Sequence, residues 1–446
     1  MSALDCRPGT PADLLISDVH VLDPRAGIDG RHDVLIREGS IAELNAPGAG
    51  VAPPGAERFD GAGRHLLPGF VDPHVHLRTP GQEHKEDLDS GTRAAAAGGY
   101  VAVVAMPNTS PTVDTVSVLL SLRETARREA RVPVGFMAAV TRGLGGEALT
   151  EMAELRSCGA LGFTDDGRPV HRAAMLRMAL QYQRLCGGLL ALHEEDPSLS
   201  GQGVMHEGEV SARLGLAGIP SISESTMIAR DAAIARYEGG RIHIQHLSAR
   251  ESVQAVAEAR ARGVRISCEA SPHHLTLTHE ALLGSLDTRL KMNPPLRTED
   301  DRLALLDGLR DGTVDCIATD HAPHAREEKE VPFELAPMGT TGLETSFGVL
   351  YTDLVRPGVL PLSLIVDKLS SGAALVGLPL PSIEPGSEAN VTLVDLERVW
   401  EVGESGYESR SQNSCFDGRR LHGRVLATVA AGSVAYRERS FAVSAA

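Results

Sequence analysis

The chain has 446 residues, of which 42% are hydrophobic and 23% charged, and a formal net charge of −16. That composition excludes a disordered, collagen-like or membrane-embedded protein. Basic residues are scattered through an acidic chain, which excludes nucleic-acid binding as the main activity.

In chain order, the opening MSALDCRPGTPADLL lacks the basic flank and apolar core of a secretory signal, so a cytoplasmic location is expected. Residues 11–65 then alternate apolar and polar positions between Gly, Asp and Asn turns, which predicts antiparallel strands. From Leu66 onward, short Val/Ile/Leu-rich segments alternate with stretches of helical period. Eight strands are predicted, at 65–78, 99–108, 132–140, 160–167, 188–196, 241–248, 264–275 and 315–324. Helical segments such as 224–240 and 248–263 lie between them and end in glycine. Eight such units predict an α/β fold, a (β/α)8 barrel over 66–379. Residues 388–440 return to the alternating pattern, so 1–65 and 380–446 are expected to pair as one composite β-sandwich. Segment 325–345, containing AREEKE and VPFELAPMGTTG, predicts an exposed loop over the barrel mouth. The six cysteines show no paired spacing and read as reduced core residues.

The chemistry concentrates at the C-terminal ends of the predicted strands, where barrel enzymes build their sites. His74 and His76 alternate on the first strand, so both imidazoles face one side. Further donors end later strands: Asp165 or Asp166, His193, His246 and Asp320. Six nitrogen and oxygen donors on one rim exceed the needs of one tetrahedral zinc and suit two cations. Asp165 and Asp166 point to opposite faces of a regular strand, so one bridges and the other caps a turn. By the same alternation His243 is expected on the outer, helix-facing side, and His321 turned away from Asp320. His273 and His274 are read as structural, and His84, His171, His206, His279 and His422 as surface or loop residues.

The segments PGFVDPHVHLR, AMPNTSPTVD, GFTDDG, LHEED, HIQHLSA, EASPHHL, KMNPPLR and TDHAPH occur in an order that resembles the metal-dependent amidohydrolase superfamily. Within it the chain is similar to the longer, Bacillus-like bacterial dihydroorotases. The resemblance implies His74, His76 and Asp320 at one zinc, His193 and His246 at a second, and Asp166 between them. Many relatives bridge the metals with a carboxylated lysine. This chain has no lysine from residue 86 to 290, so that bridge cannot form and a carboxylate must replace it; the resemblance to the longer dihydroorotases implies an aspartate. Arg78 lies two residues beyond His76, and its planar fork matches a carboxylate. The resemblance assigns Arg78, Asn108 and His324 to the substrate carboxylate, and Asn293 with backbone groups at Met338 and Gly339 to the ring amide.

The implied activity is reversible cyclisation of N-carbamoyl-L-aspartate to L-dihydroorotate, a step of pyrimidine synthesis, with Asp320 as both ligand and acid/base. The implied assembly is a homo-oligomer, with aspartate transcarbamoylase as a candidate partner. Two other readings carry their own discriminants. A hydantoinase- or allantoinase-like cyclic-amide hydrolase would be separated by a substrate panel. A non-catalytic scaffold for aspartate transcarbamoylase would be expected to lose metal ligands, and here all six positions are filled.

Overall fold

The computed structural model describes residues 4–441 and the backbone of 444–445. Its centre is a parallel eight-stranded sheet with strands at Phe70–Val75, Tyr100–Ala105, Val134–Ala138, Gly162–Phe163, Leu189–Leu192, Arg241–Ile244, Arg265–Ala270 and Cys316–Ile317, hydrogen-bonded in sequence order. All eight fall inside the predicted segments.

The seam between the first and eighth strands closes through a few specific contacts. His76 N–H donates to His321 O at 2.9 Å, and Val75 bridges His321. The buried Asp72 carboxylate accepts from the Thr319 amide at 3.2 Å and the Thr319 hydroxyl at 2.5 Å. The seam therefore places His74 and His76 directly beside Asp320.

Side-chain alternation sorts the strands into two layers. Leu190, Leu192, Ile242, Ile244, Ile266 and Cys268 join the apolar layer under the helices, whereas Val104, Met106, Met137, Leu189, Ala191 and Cys316 form a separate interior cluster. The helices begin and end as their residues dictate. Asp87 accepts from Ser90 N–H at 2.8 Å to cap Leu88–Ala97. Gly239, at φ 66°, terminates Ile222–Glu238 in a left-handed turn.

The chain ends form one continuous mixed sheet of nine strands. Its main path runs from Ser433–Arg437 through Arg420–Ala430, Val391–Glu401, His65–Pro68, Leu14–Asp23 and Ile28–Arg37 to Ser40–Asn45. Leu14, Ile16, Val34, Phe59, Leu66, Val391 and Leu426 belong to its core. The first predicted barrel strand splits here. Residues 65–68 pair with this terminal sheet, and the barrel strand starts at Phe70, after Gly69. A Cβ on Gly69 would lie 2.2 Å from Val101 Cγ1, so only glycine permits this crossing. Among the described residues, no helix is long and apolar enough to cross a membrane. All six cysteines are free. Cys268 and Cys316 are buried, and the other four are only half-buried, at the core's margin.

Candidate metal centre and substrate pocket

Asp166 sits among four imidazoles at the barrel's C-terminal mouth. Its carboxylate oxygens lie 3.5 Å from His74 Nε2, 3.4 Å from His76 Nε2, 3.9 Å from His193 Nδ1 and 3.7 Å from His246 Nε2. Asp320 Oδ1 closes the ring at 3.1 Å from His76 Nε2 and 3.6 Å from His74 Nε2. All six side chains are buried. His74, His76 and Asp320 converge closely enough to hold one cation, as do His74, Asp166 and His246. His193 stands against the second group, its Nδ1 3.0 Å from His246 Nε2.

The donor chemistry fits divalent cations. His74 Nε2 is buried without a hydrogen-bond partner, although two carboxylates lie just beyond bonding distance. His76 and Asp320, and His193 and His246, come within hydrogen-bond distance of each other, but the buried His74 Nε2 between the two carboxylates is left without a partner, a place that suits a cation. The electrostatics agree. Burial raises the Asp320 carboxyl, but His76, His74 and His246 more than reverse this and hold it at about 2. Asp166 is likewise held well below the usual carboxylate range, by His74 and His246 against burial. These buried anions require compensating positive charge.

The ring orientations are set from behind. His74 Nδ1–H donates to Glu269 Oε1 at 2.6 Å, which turns Nε2 towards the centre. His76 Nδ1–H donates to Asn108 Oδ1 at 2.9 Å with the same consequence. Glu269 also contacts His243 Nε2 at 3.1 Å, and His74 and His243 hold its carboxyl far below its usual value despite complete burial. The expected outward orientation of His243 is therefore wrong. Ile242 and Ile244 face outward, and His243 points into the barrel beneath His74. The reason is local: the strand ends at Ile244, and His246 has a left-handed φ of 33°, so counting back in twos or threes from His246 gives the wrong face. Asp320 and Arg78 are also left-handed, at φ 48° and 59°. Three of the expected site residues thus occupy strained backbone, as functional positions often do.

Asp165 and Asp166 divide as alternation requires. Asp165 accepts from Val140 N–H at 2.8 Å, Thr141 N–H at 3.0 Å and the Thr141 hydroxyl. It caps the loop after the third barrel strand, not the turn following itself, and burial raises its carboxyl to about 6.

The substrate-side residues gather next to this cluster. Arg78 is buried, its Nε donates to Pro323 O at 3.0 Å, and its Nη atoms make no hydrogen bond to a described residue. His324 Nε2 donates to Met338 O at 2.9 Å. Burial, with Arg78 and Lys329, pulls His324 well below the usual histidine value, so it is neutral. Asn108 is already engaged between two of the cluster residues: besides accepting from His76, it donates to Asp166 Oδ2 at 3.2 Å. Asn293 donates to Glu195 Oε2 at 2.6 Å. Gly339 has φ 137°, and a Cβ there would meet Ala322 Cβ at 2.8 Å and His324 Nε2 at 3.0 Å. Its amide donates to Lys291 O at 2.8 Å, so that N–H is committed within the protein.

Glu269 and Glu195 escaped the sequence reading. Both carry the strand signal: Glu195 follows His193 by two residues, and Glu269 faces inward on the seventh strand. His206 and His279, expected as surface or loop residues, are buried, with rings edge to face at 5.1 Å and Arg297 3.2 Å from His206 Nδ1. His321 does turn from Asp320, towards Glu86 at 3.3 Å. His274 is structural, bonded to Ser271 at 2.7 Å and Pro294 O at 2.9 Å. The 325–345 segment is not simply an exposed loop, because Lys329, Phe333 and Ala336 within it are buried.

Comparison with known proteins accounts for this geometry. A dihydro-orotase-like family model matches residues 63–252, and an amidohydrolase family model matches 220–435. The chain is 46% identical to a dihydroorotase of Pelotomaculum thermopropionicum, covering 96% of this chain and 99% of that protein. It is 44% identical to a dihydroorotase of Syntrophotalea carbinolica, covering 95% and 99%. The chain belongs to the dihydroorotase family. Among solved structures, an L-hydantoinase from Arthrobacter aurescens superimposes with a TM-score of 0.84 at 24% identity, covering 97% of this chain and 98% of that one. At that identity the match speaks for the shared barrel and terminal sheet. For this dihydroorotase-family chain, function must come from the mouth of the barrel.

Proposed function

We propose that this chain catalyses the reversible cyclisation of N-carbamoyl-L-aspartate to L-dihydroorotate. The observation that carries the proposal is the Asp166 carboxylate standing among four imidazoles, where no lysine is available to be carboxylated. In this reading His74, His76 and Asp320 would hold one zinc ion and His193 and His246 a second, with the Asp166 carboxylate available to both. Such a pair, when bound, supplies Lewis acidity and a water that ionises near neutral pH.

The chain's own groups do the rest. In ring opening, water adds to the ring amide carbonyl; Asp320 takes its proton and delivers it to the departing ring nitrogen. In closure the carbamoyl nitrogen attacks the side-chain carboxyl carbon, water leaves, and Asp320 moves the proton in the opposite sense. Arg78 pairs with the remaining substrate carboxylate through its Nη atoms. Neutral His324 lies beside it, and its single N–H, held by the Met338 carbonyl in this structure, would turn to that carboxylate when substrate binds. Asn293 turns from Glu195 to the ring amide, and the Met338 carbonyl is the backbone group in place to join it. Burial of the whole cluster strengthens each charge contact by excluding water.

The same reading places the protein in the cytoplasm as a homo-oligomer, with aspartate transcarbamoylase as a candidate partner to be tested by co-sizing. The deciding experiment combines metal analysis with dihydroorotate hydrolysis and a panel including hydantoin and allantoin. Bound zinc with turnover confined to dihydroorotate supports the proposal. Turnover of hydantoin or allantoin in preference to dihydroorotate overturns it.

A further inference from the structure

The chain contains only four lysines against 39 arginines, and three of the four converge on one segment. Lys329 is 7% exposed, and its ammonium donates to Thr288 O at 3.0 Å and Pro337 O at 2.7 Å. Lys291 is 3% exposed and donates to Phe333 O at 2.9 Å and Glu334 O at 3.0 Å. Lys85 pairs with Glu328 at 2.8 Å. The Thr288 hydroxyl returns a bond to Lys329 O at 2.6 Å, so the two segments are tied in both directions.

These ties act on residues 326–338, which run from just beyond His324 to Met338. Glu328 lies 3.4 Å from His324 Nδ1, and Met338 O is the acceptor for His324 Nε2. Lys291, two residues before Asn293, also accepts the Gly339 amide. An ammonium presents three donors from a single point, so it can gather carbonyls from two backbones in a closed space; a guanidinium spreads its donors over a plane and does not fit there.

We propose that Lys329, assisted by Lys291, is a positioning residue: it clamps 326–338 as a fixed strap that presets His324 and the Met338–Gly339 turn for the substrate. The strap is closed before substrate arrives and does not behave as a lid. The proposal rests on the assignment of His324 and Met338 to the substrate pocket. Because ordering the strap is completed during folding, its entropy cost is not charged against binding.

Two measurements test this. Hydrogen exchange on the wild-type protein, with and without added N-carbamoyl-L-aspartate, should show slow exchange of backbone amides in 326–338 in both states. Fast exchange that becomes slow only with ligand would make the segment a lid and overturn the proposal. Lys329→Met should accelerate exchange in this segment and raise KM at least about tenfold, with kcat changed less than about threefold. Lys329→Arg should fail to restore KM. A folded Lys329→Met protein with wild-type KM would refute the positioning role. Should that variant not fold, Thr288→Val removes one tie and should give the same split in smaller measure; an unchanged KM there counts against the proposal. The exchange arm without ligand is independent of catalysis, so failure of the assigned reaction and failure of the strap are distinguishable.

Discussion

The two halves of the mouth are built differently. The cation-facing half consists of side chains at strand ends: His74, Asp166, His193 and Asp320 each continue, or closely follow, a barrel strand. The half proposed to meet the substrate consists of Arg78, Asn293, His324, Met338 and Gly339, all on loops between elements. The first half inherits its geometry from the sheet and needs only orientation by Glu269 and Asn108. The second has no such frame, and buried ammonium groups supply one by binding loop carbonyls. A rigid element sets direction through alternation, whereas a loop needs each backbone group to be tied separately.

Substitutions in the two halves should therefore fail in different ways. The largest effect is expected for Asp166→Ala, which leaves four imidazoles facing each other without their shared carboxylate. Zinc content measured after purification should collapse together with activity. Retention of both would show that the two cation groups do not depend on a common oxygen. Asp320→Asn should lower kcat by ~10²–10⁴, the usual weight of a positioned acid/base, while some metal remains bound. Should kcat stay near wild type, the proton would have to travel by another group.

Glu269→Gln probes the support of the cation half without touching the substrate. Its metal affinity, read by competition with a chelator, should fall ~10- to 100-fold, as for other carboxylates that orient a ligating histidine. Arg78→Met probes the other half. Loss of a charge-assisted pair worth ~1.5–3 kcal/mol should appear in KM for both directions, with zinc content unchanged. A variant that loses zinc instead would erase the distinction between the halves.

The smallest effect is a pH dependence outside both. Burial raises the Glu224 carboxyl, but Arg297 and the Ser248 and Ser252 hydroxyls more than reverse this, leaving it below the usual glutamate range. A depressed folded pKa contributes stability that is present above the unfolded value of about 4.3 and is lost as pH falls through the folded value. Since Glu224 also accepts from the Ser248 amide at 3.0 Å, two residues after His246, it anchors the loop carrying that imidazole. Melting curves of wild type and Glu224→Gln should differ at pH 7 and draw together as pH falls from the unfolded value of about 4.3 through the lowered folded value. A difference that persists at low pH would assign the effect to packing, not to charge.

The eight strands, their order and the six donors could be read from the sequence because each depends on local periodicity or on residue type at a strand end. Asp165 against Asp166 was decided by the same alternation once the barrel strands were in place. The failures share a cause. His243 was misplaced because His246 leaves the strand conformation, and no pattern of apolar residues announces a left-handed φ at a histidine. Glu269 and Glu195 were passed over because a carboxylate on an inward face signals a role only when the imidazole opposite it is known. His206 and His279 lacked strand or helix periodicity, so their burial against Arg297 depended on an excursion the local pattern does not describe. Gly339 was assigned to the ring amide, yet its N–H is taken by Lys291 O, a partner 48 positions earlier in the chain.

The order of residues alone determined the barrel, the imidazoles and carboxylates available at its rim and the exclusion of a lysine bridge, since these rest on short-range periodicity and on which chemical groups exist at all. The fold in three dimensions decided which ring nitrogen faces the centre, which carboxylates hold it there, and how the loops over the substrate pocket are tied. Those contacts join residues tens to hundreds of positions apart, and their energies depend on burial and distance, quantities that appear only when the chain has closed on itself.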